Sequence, residues 1–171
     1  MRVLVTGGTG ALGREVVTQL RAKGHRACIL SRKPGAGADW IQGDLVTGAN
    51  LELAVKDVDA IVHAASDAAH PRRYHATDVV GTRRLLAMSR EAGVRHAVYV
   101  SIVGMEGVAY PYYKGKLAAE AVMREGIVPW SILRATQFHT LMEVFLDASL
   151  SSNIWHGGIP RHDQPPRRPF R

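Results

Sequence analysis

Apolar and polar positions alternate in short blocks along most of the chain, and the blocks change period as they go. Val3-Leu4-Val5 is a continuous apolar run. Beyond a cluster of glycines, residues 11–23 place Leu12, Val16, Val17 and Leu20 at the three- and four-residue spacing of a helix face. Repeating this test predicts strands over residues 2–6, 26–30, 39–42, 60–64, 97–102 and 130–133. It predicts helices over residues 11–23, 50–55, 76–92, 112–125 and 137–148. Gly24, Gly93 and Gly126 each follow a predicted helix, as C-terminal caps do. Strands rich in Val, Ile and Ala without strict alternation suit a parallel sheet covered on both faces. Alternating strands and helices predict an α/β domain: a doubly wound parallel sheet of the Rossmann type, about six strands, with helices on both faces. The pattern stops near Ser149. Residues 151–171 hold four of the eight prolines and no period of either kind, so residues 1–149 read as one nucleotide-binding domain and 150–171 as a flexible basic, proline-rich tail.

The glycine cluster lies between the first strand and the first helix: Thr6-Gly7-Gly8-Thr9-Gly10-Ala11-Leu12-Gly13. There, backbone N–H groups and the positive end of a helix dipole converge on an anion. Gly7 allows the tight turn, Gly10 lets a pyrophosphate approach the backbone, and Gly13 lets the helix pack closely. Thr9, Ala11 and Leu12 complete this candidate cofactor turn.

Composition narrows the classes. With 171 residues and 46% hydrophobic content the chain can bury a real core, and no apolar stretch reaches the length of a membrane span. The amino terminus lacks the run of a signal peptide, and the single Cys28 falls in a predicted strand as a buried, inert thiol, so a cytoplasmic protein is expected. The net charge of +7 includes +3 from residues 153–171; the other basic residues are scattered among acids, without interleaved aromatics, so no nucleic-acid partner is expected. The histidines show no ligand spacing, so no metal is expected. His70 and His75, around Pro71-Arg72-Arg73, read as solvated loop residues.

The end of the second strand bears on cofactor choice. A site for the unphosphorylated dinucleotide places Asp or Glu there, on the ribose 2′-hydroxyl. This chain has Ser31-Arg32-Lys33, which suits either a 2′-phosphate or simply an exposed basic loop. Asp44-Leu45 and Ala64-Ala65-Ser66 follow the third and fourth strands, at the ligand-binding edge of such a sheet, where Asp44 could accept from an adenine amino group. Ser101 ends the fifth strand, with Tyr112 eleven residues later and Lys116 one helical turn beyond that. A neighbouring ammonium favours the phenolate, so such a tyrosine exchanges a proton with a carbonyl oxygen while Ser101 holds that oxygen. Tyr110 with Lys114 offers the same spacing, and surface Tyr and Lys on an amphipathic helix is the plainer account.

Thr6–Gly13, Asp44-Leu45, Val80-Gly81-Thr82, Tyr99-Val-Ser101 and Tyr112-x-x-x-Lys116-x-x-x-Glu120 together resemble the extended and atypical short-chain dehydrogenases/reductases, in particular bacterial NAD(P)-binding proteins of the nucleoside-diphosphate-sugar epimerase-like or NmrA-like kind. The resemblance covers residues 1 to about 148. It implies Ser101 as carbonyl binder, Tyr112 as acid/base, and Lys116 as ligand of the nicotinamide ribose and tuner of the tyrosine. The cofactor would be NADP, with NAD as the alternative, the substrate a small molecule with a carbonyl or hydroxyl, and a homodimer is compatible with the fold. Two departures stand out. Extended members carry Asn where this chain has Asp78, either facing the site or solvated on its helix. The sequence after Ser149 also departs from the family, as if truncated or frame-shifted, where members continue into a substrate region. The sequence therefore supports an oxidoreductase and, as the alternative, a non-catalytic NAD(P)-binding sensor or regulatory module.

Overall fold

The computed structural model describes residues 1–67 and 70–136. Six strands, β1 (Arg2–Thr6), β2 (Arg26–Ser31), β3 (Trp40–Gln42), β4 (Ala60–His63), β5 (His96–Ile102) and β6 (Trp130–Ala135), form one sheet in the order β3-β2-β1-β4-β5-β6. Every adjacent pair is parallel. The order reverses at β1 and β4, and in open α/β sheets ligands bind at the carboxyl ends of the strands flanking such a reversal. The predicted fold class is the observed one.

The helices are α1 (Ala11–Ala22), α2 (Leu51–Val55), α3 (Gly81–Glu91) and α4 (Pro111–Glu125). Among the described helices α1 packs on one face, where Val17 joins Val5, Ala27 and Ile29. The larger core lies on the other face, where Leu4, Leu30, Ile61 and Tyr99 meet Leu51, Leu85, Ala119 and Met123. Pro111 occupies the first turn of α4, where its missing N–H is harmless, and it starts the helix one residue before the predicted boundary.

Several expectations change in detail. The helix expected over residues 76–92 has two parts, a π-helical stretch His75–Val80 running into α3. A 3₁₀ turn, Pro71–Arg73, precedes it. Gly24 and Gly93 adopt the left-handed conformation of a helix cap (φ 75° and 73°), whereas Gly126 is extended (φ −68°, ψ 148°) and caps by donating its N–H to the Met123 carbonyl. The helix expected over residues 137–148 and the tail 150–171 lie outside the described residues.

One close approach fixes the start of α1. A Cβ at Gly13 would lie 2.1 Å from the Gly7 carbonyl oxygen, so the helix packs on the glycine turn itself. Gly7 (φ 71°) is pressed in turn against the end of β4, where a Cβ would lie 2.7 Å from the backbone of Ala64 and Ala65. Gly13→Ala is expected to cost about 3 kcal/mol, at the upper end of overpacking effects. Gly24→Ala, with open space around it, should cost only the left-handed strain of about 1 kcal/mol. Urea unfolding of both variants checks this; equal losses would remove the steric role of Gly13.

Candidate functional site

The carboxyl ends of β1, β2, β3 and β4 surround a cleft of about 240 Å³. It is lined by Gly7, Thr9, Gly10, Ser31, Arg32, Lys33, Asp44, Leu45, Ala64, Ala65 and Ser66, all expected from sequence, together with Asp67 and Thr77. Ala11, Leu12 and Gly13 sit in the first turn of α1 behind the lining, where Gly13 serves packing. The first turn of α1 carries no acidic residue and Gly10 offers no side-chain cap, so the positive end of the helix faces the cleft without an internal counter-charge. A Cβ at Gly7 would strike the Ala64–Ala65 backbone at the edge of this cradle, and one at Gly10 would lie 3.3 Å from the Gly7 carbonyl oxygen. Neither Arg32 nor Lys33 forms an ion pair among the described residues. The Ser31 hydroxyl accepts from the Lys33 amide at 3.1 Å, and Asp44 Oδ1 accepts from the Val46 amide at 2.7 Å, shaping two of the turns at the rim. A glycine cradle, a helix start and cationic side chains fit a dinucleotide.

Beyond Ser66 the cleft joins a second cluster. The Ser66 hydroxyl donates to Asp78 Oδ1 at 2.7 Å and lies 3.0 Å from the Tyr112 hydroxyl. Asp78 is fully buried on the inner face of the π-helical stretch, which settles the choice between site and solvent in favour of the site. Lys116, also buried, donates from Nζ to the Val100 carbonyl at 2.7 Å, sits 4.2 Å above the Tyr99 ring centre and lies 3.8 Å from Asp78 Oδ1. Burial lowers Lys116 to about 8, against the pull of Asp78 and Glu120. Burial also raises the Tyr112 phenol; Asp78 adds to the rise and the Ser66 hydrogen bond opposes it. The expected tuning of Tyr112 by Lys116 is thus replaced by a different arrangement: the ammonium is directed to Val100, Tyr99 and Asp78, while the phenol meets Ser66.

Ser101 shares the β5 face with Tyr99 and is only 2% exposed. Its Oγ has no partner within hydrogen-bond distance, although it faces Glu120 closely enough to help hold that carboxylate ionised. The hydroxyl brought to Tyr112 is therefore that of Ser66. Burial works against the charge on Glu120, but hydrogen bonds from Arg134 and Arg124, with the Ser101 hydroxyl nearby, hold it down to about 2. Tyr110 is the exposed residue capping α4, and Tyr112 is the one that reaches the cluster. His70 is solvent-exposed, as expected, and together with Arg73 it pairs with the buried carboxylate of Asp67, at 2.6 and 3.4 Å.

Sequence reasoning placed Ser66 only against the cofactor and left Asp78 undecided. Helical spacing held the missing signal: Asp78, Thr82, Leu85, Leu86 and Ser89 follow one face, and all are buried. His63, assigned no role from sequence, is buried between Thr6 Oγ1 at 2.6 Å and Thr82 Oγ1 at 2.9 Å. Thr82 donates to the Asp78 carbonyl, and the Ala65 amide donates to Thr6 Oγ1 at 3.3 Å. Burial, and then the Lys116 charge, push His63 down to about 3.

A doubly wound parallel sheet with a glycine turn at its reversal defines a Rossmann-type scaffold. The chain belongs to the NAD dependent epimerase/dehydratase family, whose model matches residues 3–121. It is 32% identical over 144 residues to the (4-alkanoyl-5-oxo-2,5-dihydrofuran-3-yl)methyl phosphate reductase of Streptomyces griseus, covering 80% of this chain and 48% of that protein. It is 30% identical over 129 residues to a UDP-glucose 4-epimerase of Klebsiella pneumoniae, covering 63% of this chain and 93% of that sequence. A short-chain dehydrogenase/reductase superfamily protein of Agrobacterium tumefaciens, solved with NAD bound, superposes with a TM-score of 0.69 at 30% identity, over 78% of this chain and 48% of that one. The chain thus spans about half the length of the Streptomyces and Agrobacterium relatives. Among the described residues no helix is long and apolar enough to cross a membrane.

The contacts that keep Glu120 ionised also stabilise the fold. A carboxyl held below its ordinary value of 4.5 stabilises the fold above that value and loses its contribution as pH falls toward about 2. The melting temperature of the wild type is expected to drop between pH 5 and pH 3, and Glu120→Gln should be less stable at pH 7 with a shallower acid slope. Parallel melting curves across this range would exclude Glu120 from the acid response.

Proposed function

We propose that this chain forms the cofactor-binding part of an NAD(P)-dependent oxidoreductase of the short-chain type, acting on a carbonyl or hydroxyl of a small molecule, with NADP preferred. The observation that carries the reading is the connection of Tyr112, through Ser66, to the cleft built by Gly7 and Gly10. Residues 1–149 act as the nucleotide-binding unit in this reading, in a cytoplasmic setting.

The glycine turn and the start of α1 would hold the pyrophosphate, Asp44 and Leu45 the adenine side, and Ala64 and Ala65 the ribose. Arg32 and Lys33, at the rim reached from β2, supply cationic donors for a 2′-phosphate where no carboxylate stands to repel it. A nicotinamide cofactor supplies or accepts hydride when bound. Tyr112 exchanges the proton at the substrate oxygen, with Ser101 as the candidate carbonyl binder and Lys116 as the cation that stabilises the site. The catalytic residues of the proposal are Ser101, Tyr112 and Lys116. The Streptomyces relative is a reductase, which supports hydride chemistry.

Fluorescence titration should show the protein binding NADPH more tightly than NADH. Arg32→Glu should weaken NADPH by about ten- to a hundredfold, the worth of a charge-assisted hydrogen bond, while NADH changes little. An equal loss for both cofactors removes Arg32 from the 2′-phosphate role, and folded protein that binds neither sinks the proposal. With a substrate in hand, Tyr112→Phe should lower turnover by about 10²–10⁴, the usual worth of a general acid/base, at nearly unchanged cofactor affinity. A binding module without turnover would show the same affinities and no reaction in either protein.

A further inference from the structure

Ser66 has one hydroxyl proton and stands between two groups that compete for it, the Asp78 carboxyl at 2.7 Å and the Tyr112 phenol at 3.0 Å. While Asp78 is ionised, the Ser66 proton is committed to Oδ1, so Ser66 can only accept from Tyr112. The phenol proton then points into the protein, and Tyr112 presents a lone pair to whatever lies beyond it. When Asp78 is protonated, it donates to Ser66, Ser66 donates to Tyr112, and the phenol proton is free to point outward. We propose that Asp78, acting through Ser66, is the positioning residue that sets the direction of the Tyr112 hydroxyl and stores the proton that replaces the one Tyr112 gives away. This deepens the reading of Tyr112 as acid/base and rests on it.

The surroundings of Asp78 suit a group that changes protonation. It is fully buried, and its second oxygen, Oδ2, has no hydrogen-bond partner, a position that favours the neutral acid over the carboxylate. Lys116 from α4 opposes this at 3.8 Å. The remaining groups facing it are Ser66 and Asp67 from the loop after β4, Tyr112 from α4, Tyr99 from β5 and Tyr74. Burial, the largest influence, raises the carboxyl above its ordinary value, while Lys116, Ser66 and the Asp67 backbone amide pull it down.

The proton balance closes. In the reducing direction the Tyr112 proton forms a bond to the substrate oxygen, the Ser66 proton passes to the phenolate, and the Asp78 proton passes to Ser66. One O–H bond is lost at Asp78 and one is gained at the substrate. The electron pair arrives at the substrate carbon as hydride from a reduced nicotinamide, which ends oxidised. Asp78 recovers its proton from water through Ser66, whose side chain is exposed. In the oxidising direction each transfer reverses, and ionised Asp78 accepts the proton.

The test uses the full chain without cofactor or substrate, so it is independent of whether NADPH binds. Tyrosines carrying carbon-13 at Cζ are titrated by NMR, with the Tyr112 signal assigned through Tyr112→Phe. Asp78→Asn should lower the Tyr112 pKa by about one unit, a tenfold change in acidity, since it removes a negative charge and lets Ser66 donate to the phenolate. In the double variant with Ser66→Ala, the effect of Asp78→Asn should fall to less than half, since the pathway through Ser66 is gone. An unchanged Tyr112 in Asp78→Asn, or equal effects of that change with and without Ser66, overturns the proposal. Ser66→Ala alters an exposed side chain and keeps the test open if Asp78→Asn does not fold: the carbon-13 titration of Asp78 must then shift upward, and an unmoved Asp78 is equally fatal. Loss of NADPH binding with these shifts intact would instead count against the proposed function.

Discussion

The arrangement around β5 depends on holding a lysine ammonium out of water. Lys116 is almost fully buried, and the groups that make this tolerable come from two other elements: the Val100 carbonyl and Tyr99 ring from β5, and Asp78 from the π-helical stretch. An uncompensated buried charge is among the costliest features a fold can carry, so these contacts constrain where α4 and the stretch before α3 lie. Tyr112, one turn earlier on α4, is positioned as a consequence. Burial outweighs these contacts and holds Lys116 below its ordinary basicity, at about 8.

A second buried charge meets a different solution on the same helix. Glu120, one turn beyond Lys116, receives Arg124 from its own helix at 2.7 Å and Arg134 from β6 at 2.7 and 2.9 Å. The arginines satisfy it fully enough to keep it ionised in strong acid, whereas Asp78 is left with one bare oxygen. Two carboxylates on the same face of the sheet thus follow opposite rules, one fixed in charge and one open to change. Hydrogen-bond count separates them more than burial does.

Much of this was legible in the sequence. Blocks of apolar residues with alternating period located all six strands, and the glycines between Val5 and Val16 located the cleft, because both follow from local backbone rules. The side-chain cluster was legible only in part. Tyr112 and Lys116 share a helix, so their proximity is a matter of spacing. The meeting of Ser66 with Tyr112, 46 residues apart, depends on the path of the loop after β4, which no local rule fixes. Ser101 shows the converse: its place at the end of β5 was correct, but the alternation of β5 turned it inward toward Glu120. Asp78 was readable from its register with Thr82 and Leu85, yet a carboxylate on an apolar stripe is normally taken for an interruption of the pattern.

The bonds around His63 have a direction. Thr82 commits its proton to the Asp78 carbonyl, so it accepts from the imidazole, which therefore carries its hydrogen on Nε2; Nδ1 is left as an acceptor, and Thr6 must donate to it. From the Ala65 amide to the Asp78 carbonyl every proton is assigned, with no spare donor and no spare acceptor. A protonated His63 would reverse one link and strand the Thr6 hydroxyl, which agrees with its basicity being far below the usual range. Valine in place of either threonine, or any ring that cannot both donate and accept, leaves a buried polar atom alone. Positions 6, 63 and 82 therefore form a single unit: a change at any one of them leaves a buried polar atom without its partner unless the other two change with it.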